Sequence, residues 1–350
     1  MYVNGNESSE LGIINIIKAI GILLVIFGHA IQYASGEQVL SSGLFFEDFL
    51  FKFIYSFHMP LFMLVSGYLF YNTVEKYQGK QLLLNRWHRL AQPILVWAFF
   101  PFMELVLKRD KITILNVIKS LIRAVILNPW FLWAILLSSM AVVVVNKFFK
   151  DNKLIYFLGF LLIFVIPDQY NLHLYKYMYP YFVLGYLFNK NIRWQNTFSL
   201  RIRSGRIYGV LLTIFYFILL SVYSRDAYIY VSGITLLGKN YEYQLLIDLY
   251  RFLIGFVGSL WIIWISTKVA NQIPKKVMIA VDYLGKYSMG FYLISGVIFS
   301  YIVSPLTREI EGINYLFVTG ISIIVTLSCV MLIEIIKKNH LSNKLFLGGR

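Results

Sequence analysis

Ten long apolar runs constrain this chain more than any other feature of its sequence. A helix needs about 20 mainly apolar residues to cross the hydrocarbon core of a bilayer, and lipid forces its backbone to bond within itself. The chain has 350 residues, of which 59% are hydrophobic and 14% charged, against about 25% charged in soluble domains. We therefore predict an all-α, polytopic membrane protein with ten transmembrane helices, at about 13–33, 47–71, 88–108, 129–146, 153–168, 175–189, 207–224, 243–266, 280–303 and 313–336.

The connectors between these runs are too short to bury a core of their own. We expect a single membrane-embedded domain over residues 1–350, with a polar N-terminal tail at 1–10 and a basic C-terminal tail at 338–350. The polar start lacks the basic region of a secretory signal, so the first run is expected to stay as a spanning helix. The stretch 109–128 mixes basic with apolar residues and is typical of an amphipathic interfacial or re-entrant segment.

The distribution of Lys and Arg predicts that both termini are cytoplasmic. Basic residues concentrate near 76–89, 147–153, 190–206, 268–276 and 337–350, which lie on one side of the membrane if the chain starts inside. The opposite connectors hold fewer, and most of those fall within 108–123. The net charge of +15 is thus explained by loops that face anionic lipid, and we expect no nucleic-acid partner.

Several signatures of other classes are missing from the sequence. Neither a G-x-G-x-x-G loop nor a Walker-type phosphate loop occurs, which disfavours a nucleotide-driven pump. The single cysteine, Cys329, forms no intramolecular disulfide, and no His or Cys spacing is typical of a metal site. We therefore expect no bound metal.

Two ionisable residues interrupt the first apolar run, Lys18 and His29. Eleven residues separate them, so they share one helix face about 16 Å apart along the axis. Asn15 precedes Lys18 by three residues and lies on the same side. Ionisable residues inside a membrane span are functional by default, although Lys18 would also fit as a lysine that extends to the interface.

The second run contains Tyr55, His58, Pro60 and Ser66. In the predicted orientation His58 lies at a depth near that of His29, so the two histidines should converge in a polar pocket. Pro60 leaves a carbonyl without its usual donor and is expected to loosen the helix there. Tyr55 and Ser66 are candidates for lining the same pocket.

Basic and aromatic residues mark the next candidate region. Arg86 and Arg89 are i, i+3 neighbours that would share a helix face, and two guanidinium groups at that spacing suit phosphate oxygens. The alternative is that they are ordinary anchors under the positive-inside rule. Trp130, at the start of the fourth run, and Arg251, inside the eighth, are further candidates for the pocket.

These residues resemble, in order and over nearly the whole chain, the acyltransferase-3 family of membrane enzymes. Lys18-x10-His29 is similar to its basic-x10-His motif, and Arg86-x-x-Arg89 to its R-x-x-R motif. Further similar segments are Phe57-His58-Met59-Pro60-Leu61-Phe62 with Ser66-Gly67, Trp130-Phe131-Leu132, Pro180-Tyr181-Phe182-Val183-Leu184-Gly185, and Leu284-Gly285-Lys286-Tyr287-Ser288-Met289-Gly290-Phe291-Tyr292-Leu293.

The resemblance implies a ten-helix enzyme of the bacterial inner membrane. Such enzymes move an acyl group, usually acetyl, from acyl-CoA to a hydroxyl of a cell-surface carbohydrate such as O-antigen, exopolysaccharide or capsule. The carbohydrate can be lipid-linked in transit. Carried over, His29 is the catalytic histidine with His58 beside it, and Lys18, Arg86 and Arg89 engage the acetyl-CoA donor. The chain departs from the family where Asn15 replaces a frequent Asp and Ser295 replaces a frequent His.

Two other function classes remain open from the sequence. A transporter or flippase of a lipid-linked sugar or small anion would also need many spans and buried ionisable groups, although inverted repeats and paired broken helices are not evident. A non-catalytic assembly or receptor protein leaves the convergent His and Arg positions unexplained. Binding of acyl-CoA would separate the enzyme from both.

Overall fold

A computed structural model of the protein describes residues 5–108, 113–191, 205–237 and 240–349, with side chains from residue 11 onward. All regular secondary structure within these ranges is helical, as the lipid environment requires of a chain with these apolar runs. Parts of the predicted basic connectors, including Arg193, Arg201 and Arg203, lie outside the described residues.

Seven of the helical segments are long and apolar enough to cross a membrane. They are Leu11–Tyr33, Phe49–Lys76, Gly79–Leu107, Trp130–Phe149, Tyr241–Val269, Ser288–Leu306 and Tyr315–Lys337. This confirms the all-helical, polytopic class and seven of the predicted spans.

The three remaining predicted runs also form helices, Lys153–Leu162, Leu172–Lys190 and Arg206–Ser221. The first and third contain 10 and 16 residues, which is short for a bilayer. The second contains 19 residues but includes Lys176, Asn189 and several tyrosines. The count of ten spans and the cytoplasmic termini therefore stay predictions.

We number the α-helices in chain order. They are α1 Gly5–Tyr33, α2 Glu37–Ser42, α3 Phe49–Tyr55, α4 His58–Lys76, α5 Gly79–Arg86, α6 Gln92–Trp97, α7 Phe99–Leu107, α8 Ile114–Leu127, α9 Trp130–Phe149, α10 Lys153–Leu162, α11 Leu172–Lys190, α12 Arg206–Ser221, α13 Ile229–Ser232, α14 Tyr241–Val269, α15 Lys275–Lys286, α16 Ser288–Ile298, α17 Ser304–Leu306, α18 Tyr315–Lys337 and α19 His340–Leu347. Two π-helical turns, Trp87–Ala91 and Phe299–Val303, join α5 to α6 and α16 to α17.

Helix α8 accounts for most of the stretch predicted to be amphipathic. The Thr113 side chain caps its start by accepting from the Asn116 N–H. The small residues Ser120 and Ala124 are buried, whereas Ile114, Leu115 and Ile118 are exposed. An apolar exposed face on a helix with Lys119 and Arg123 suits contact with lipid at the interface.

The described chain divides into two compact units rather than showing one obvious core. The first contains Met1–Val65, Asn191–Tyr228 and Leu249–Ile335, and the second contains Ser66–Lys190, Ile229–Asp248 and Ile336–Arg350. A single domain over 1–350 stays a prediction, and each unit is treated by itself below.

In the first unit, α1 packs against α15 and α16. The closest approach is at Gly285, where a Cβ atom would lie 2.5 Å from the Asn15 carbonyl oxygen. Small residues at such points let helix backbones approach, which is a main source of packing energy between membrane helices. This contact fixes the face of α1 that carries Asn15.

In the second unit, Gly67 of α4 provides the equivalent close approach. A Cβ atom there would lie 1.9 Å from the Phe182 carbonyl oxygen and 2.8 Å from its carbonyl carbon. Phe182 belongs to α11, and its ring packs with Phe70 of α4 at 5.5 Å between ring centroids. The sequence therefore needs glycine at 67 for packing.

We expect Gly67→Ala to destabilise the protein by about 1–3 kcal/mol, because the new methyl group meets backbone that cannot turn aside. Thermal unfolding of the detergent-purified protein measures the effect as a lower Tm. Gly320→Ala in α18 is the matched control, since nothing lies within 4 Å of its Cβ position. Equal Tm values for the two variants would contradict this account of α4 packing.

Candidate active site

His29 lies near the end of α1, in the first unit, and is surrounded by aromatic rings. Its ring meets Tyr33 at 6.0 Å and Phe299 at 5.8 Å between centroids, both edge to face. Its Nδ1 atom is buried and has no hydrogen-bond partner among the described residues. Buried polar nitrogens are nearly always paired, so this atom is available to a ligand or water.

His58 is the first residue of α4, and its position depends on a break in the helix. Helix α3 ends at Tyr55 and α4 begins at His58. Pro60 therefore lies in the first turn of α4, where its missing N–H costs nothing. The predicted loosening occurs, but the interruption lies before the proline, at Ser56 and Phe57.

The break fixes the tautomer of His58. Its Nδ1 is 2.8 Å from the Ile54 carbonyl oxygen, which only accepts, so Nδ1 carries a proton and donates. In a neutral imidazole the other nitrogen, Nε2, is then an acceptor. His58 is 4% exposed, so this arrangement is held inside the protein.

Tyr55 links the two histidines. Its ring packs edge to face with His58, with centroids 4.7 Å apart, and lies against α1 at Gly28, where a Cβ atom would be 2.9 Å from the tyrosine ring. Its hydroxyl donates to Oε1 of Gln32 at 3.3 Å. His29 and His58 are close enough to interact electrostatically. The two histidines therefore lie near each other, with Gln32 as an added polar neighbour, and their convergence in one pocket stays a prediction.

Arg251 holds the loop whose last residue packs against Tyr55. It is 2% exposed, and its guanidinium donates to the carbonyl oxygens of Ala227 at 2.8 Å and Asp226 at 3.1 Å. These bonds fix the short loop that ends at Tyr228, whose ring packs against Tyr55 at 6.4 Å. Arg251 thus clamps backbone, and a direct place in the pocket stays a prediction.

Tyr228 is held protonated by its surroundings. Burial, reinforced by the nearby Glu47 and Asp48 carboxylates, raises the pKa of its phenol well above the usual value. The hydroxyl donates to the Phe46 carbonyl oxygen at 3.2 Å. The aromatic support behind Tyr55 therefore keeps its form at all physiological pH values.

Asp282 is a functional candidate that the sequence analysis missed. The Asn15 side-chain amide donates to its Oδ1 at 3.0 Å, so α15 places a carboxylate on the face of α1 that also carries Lys18. A carboxylate is thus supplied to this face of α1 from another helix. The signal was present, because Asp282 is an acidic residue inside a predicted span, directly before the Leu284–Leu293 segment.

Arg86 and Arg89 belong to the second unit and differ in environment. Arg86 is 8% exposed, lies 4.8 Å from the Phe70 ring centroid and donates to the Asn85 side chain at 2.9 Å. Arg89 is exposed. The π-helical turn Trp87–Ala91 has more residues per turn than an α-helix, so the expected shared face is not kept.

The last two predicted pocket residues also belong to the second unit. Ser66 is half-buried in α4, and Trp130 is half-buried at the start of α9. The Trp130 ring packs edge to face with Phe131 at 5.7 Å and Tyr230 at 6.3 Å. These contacts are those of a packed aromatic residue, and a role for either in the pocket stays a prediction.

Comparison with known proteins matches the sequence of this chain to one family. The acyltransferase-3 family model, described as an acyltransferase domain, matches residues 11–335. The chain is 29% identical over 291 residues to the nodulation protein NolL of Mesorhizobium japonicum, covering 81% of this chain and 74% of that protein. It is 27% identical over 307 residues to NolL of Sinorhizobium fredii, covering 81% and 76%. No solved structure matches.

The family match covers both histidines, Lys18, the two arginines and Asp282, and it confirms the resemblance drawn from the motifs. Together with the seven apolar spans, it gives the chain a class: the protein belongs to the acyltransferase-3 family of membrane acyltransferases.

Proposed function

We propose that this protein moves an acyl group, acetyl in the first instance, from acyl-CoA at the cytoplasmic side of the bacterial inner membrane to a hydroxyl of a cell-surface carbohydrate. The observation that carries the proposal is His29, whose buried Nδ1 has no hydrogen-bond partner among the described residues. It lies beside a second imidazole of fixed tautomer, in a chain of an acyltransferase family.

His29 has two chemical routes to transfer. As a general base, its imidazole takes the proton of the acceptor hydroxyl while the oxygen attacks the thioester carbonyl. The C–S bond breaks, an ester C–O bond forms, and the proton passes to the departing CoA thiolate. In the second route the imidazole nitrogen first attacks the thioester carbonyl, so that the C–S bond breaks and CoA leaves as thiolate. The acceptor hydroxyl then attacks the acyl group, the acyl–nitrogen bond breaks, and the hydroxyl proton passes to the thiolate. Both routes need a neutral ring, which its aromatic surroundings favour because a buried charge would be unpaired.

His58 and its neighbours suit a role in holding the acceptor. With Nδ1 bound to Ile54, its Nε2 is an acceptor in the neutral ring, while the Tyr55 hydroxyl and Gln32 amide offer further polar contacts. The rings of Tyr33 and Phe299, which pack 6.3 Å apart beside His29, offer flat apolar surface. A sugar presents both hydroxyls and apolar C–H faces, so this combination fits a carbohydrate, either free or lipid-linked.

The donor is proposed to lie on Lys18, Arg86 and Arg89, because the phosphates of CoA cannot enter hydrocarbon unpaired. Exposed Arg89 suits a first contact with phosphate from solvent. Arg86, held on Phe70, suits a fixed donor of hydrogen bonds. The remaining pocket candidates from the sequence are Asn15, Ser66, Trp130 and Arg251.

We expect His29→Ala to lower acyl transfer by at least about 100-fold, since a positioned general acid or base contributes that much or more. The measurement is transfer of labelled acetyl from acetyl-CoA to extracted glycan by membranes containing each variant. His173→Ala, in α11 of the second unit, is the control and should keep its activity. Activity retained by a folded His29→Ala protein would rule out both routes.

We expect Arg89→Ala to weaken binding of acetyl-CoA to the detergent-purified protein about tenfold, because a charge-assisted contact to phosphate contributes about 1.5 kcal/mol or more. Titration calorimetry measures Kd, and Lys108→Ala, an exposed cation paired with Glu104, is the control. Unchanged Kd in the variant would remove Arg89 from the donor site. A folded wild type that binds no acyl-CoA would instead favour the transporter or flippase.

The pair of Asn15 and Asp282 can be tested by exchanging the two side chains. We expect Asp282→Asn to lower activity, because the face of α1 with Lys18 loses its carboxylate, and Asn15→Asp with Asp282→Asn to restore much of it by reversing the same amide–carboxylate pair. The transfer assay measures both, with Tm as the check on folding. A double variant no more active than Asp282→Asn would show that the carboxylate must come from α15 or has another role.

A further inference from the structure

Residues after the last spanning helix form a defined structure rather than the simple basic tail that the sequence suggests. Helix α19 begins after Asn339, whose side chain accepts from the N–H groups of Leu341 and Ser342 at 2.8 and 3.2 Å. It ends at Gly348, which has φ of 69°, and the Gly349 N–H bonds to the Asn343 carbonyl at 3.1 Å. Both ends are capped, which favours an ordered helix.

This helix docks on the segment that carries the two arginines, within the second unit. The Trp97 indole N–H donates to the Phe346 carbonyl oxygen at 2.9 Å, and the two rings pack edge to face at 5.7 Å. Leu347 is 1% exposed. The helix therefore buries its last turn against α6 and the π-helical turn before it.

The tightest contact is with Arg89 itself. A Cβ atom at Gly348 would lie 2.8 Å from the Arg89 carbonyl oxygen and 3.0 Å from its Cα. Backbone thus meets backbone at the residue whose exposed side chain is proposed to bind donor phosphate. Arg89 lies inside residues 11–335, the range that the family model matches, whereas Gly348 lies after it.

The local structure of Arg89 explains why such support matters. π-helical turns are rare, and they occur as single turns inside α-helices, often at functional sites. A backbone form of this kind persists where its surroundings determine it. The contacts of Phe346, Leu347 and Gly348 are the surroundings that α19 provides for the turn Trp87–Ala91.

We propose that the last turn of α19 positions Arg89 and thereby sets the affinity of the protein for acyl-CoA. The inference rests on the proposed function, since it assigns Arg89 to the donor. Phe346, Leu347 and Gly348 are positioning residues, because they act through the backbone of Arg89 and not by touching the reacting groups. A purely structural helix would change stability and leave donor affinity alone.

Gly348→Ala and Gly349→Ala form a matched pair for the test. Both glycines have positive φ, 69° and 73°, so an alanine is strained at either position. Only at Gly348 does the added Cβ meet another atom, whereas nothing lies within 4 Å of it at Gly349. Any difference in donor binding between them therefore reports the contact with Arg89.

We expect Gly348→Ala to raise Kd and KM for acetyl-CoA about fivefold or more relative to Gly349→Ala, which corresponds to about 1 kcal/mol of lost binding. The kcat at saturating donor should stay within about twofold, because the reacting groups are untouched. Trp97→Phe keeps an aromatic ring but removes the indole N–H that bonds to Phe346, so it should also raise Kd and KM. This variant provides the test if Gly348→Ala does not fold.

Equal donor affinity in the two glycine variants, with normal binding by the wild type and by Trp97→Phe, would overturn the inference alone. If the folded wild type does not bind acyl-CoA, the proposed donor is wrong, and so is the role of α19 in binding it. A fall in kcat with unchanged KM would also contradict a role in positioning the donor.

Discussion

The structure depends on the need of every polar group in a lipid-embedded helix to find its partner within the protein. Backbone groups meet this need by forming helices, and buried side chains meet it by reaching other segments. Arg251 donates to the carbonyls of Ala227 and Asp226, Asn15 to Asp282, and His58 to Ile54. The Nδ1 of His29 departs from this pattern, because it has no hydrogen-bond partner among the described residues. Leaving a buried nitrogen without a partner has a cost that a ligand or water would offset.

Glycine sets where helices approach closely. Gly285 lets α15 reach the backbone of α1 beside Asn15, and Gly67 lets α4 reach the backbone of α11. In hydrocarbon the apolar side chains gain little by leaving lipid, so shape and close contact decide which faces meet. The chemistry of the candidate site and the packing that supports it are therefore carried by different residue types on the same helices.

The sequence predicts well what depends on local pattern and poorly what depends on distant contacts. Apolar runs located seven spans, and an ionisable residue inside a run marked His29, His58 and Arg251. Asp282 was missed because its partner Asn15 is 267 positions away, and Gln32 because an uncharged amide in the last turn of a span looks ordinary. The π-helical turns have no simple signature in sequence, so the different environments of Arg86 and Arg89 were not foreseen.

The two π-helical turns also change which side chains of these spans share a helix face. Each accommodates an extra residue within one helix, which shifts the angular phase of all later side chains by about 100°. A helical wheel drawn straight through Trp87–Ala91 or Phe299–Val303 thus places the residues after the turn about 100° away from their true positions. In each case the phase jump falls at a residue proposed here to matter, Arg89 in one span and Phe299 beside His29 in the other. Inserting or deleting a single residue at one of these turns would therefore rotate the later side chains around the helix axis, with little change in the length of the span.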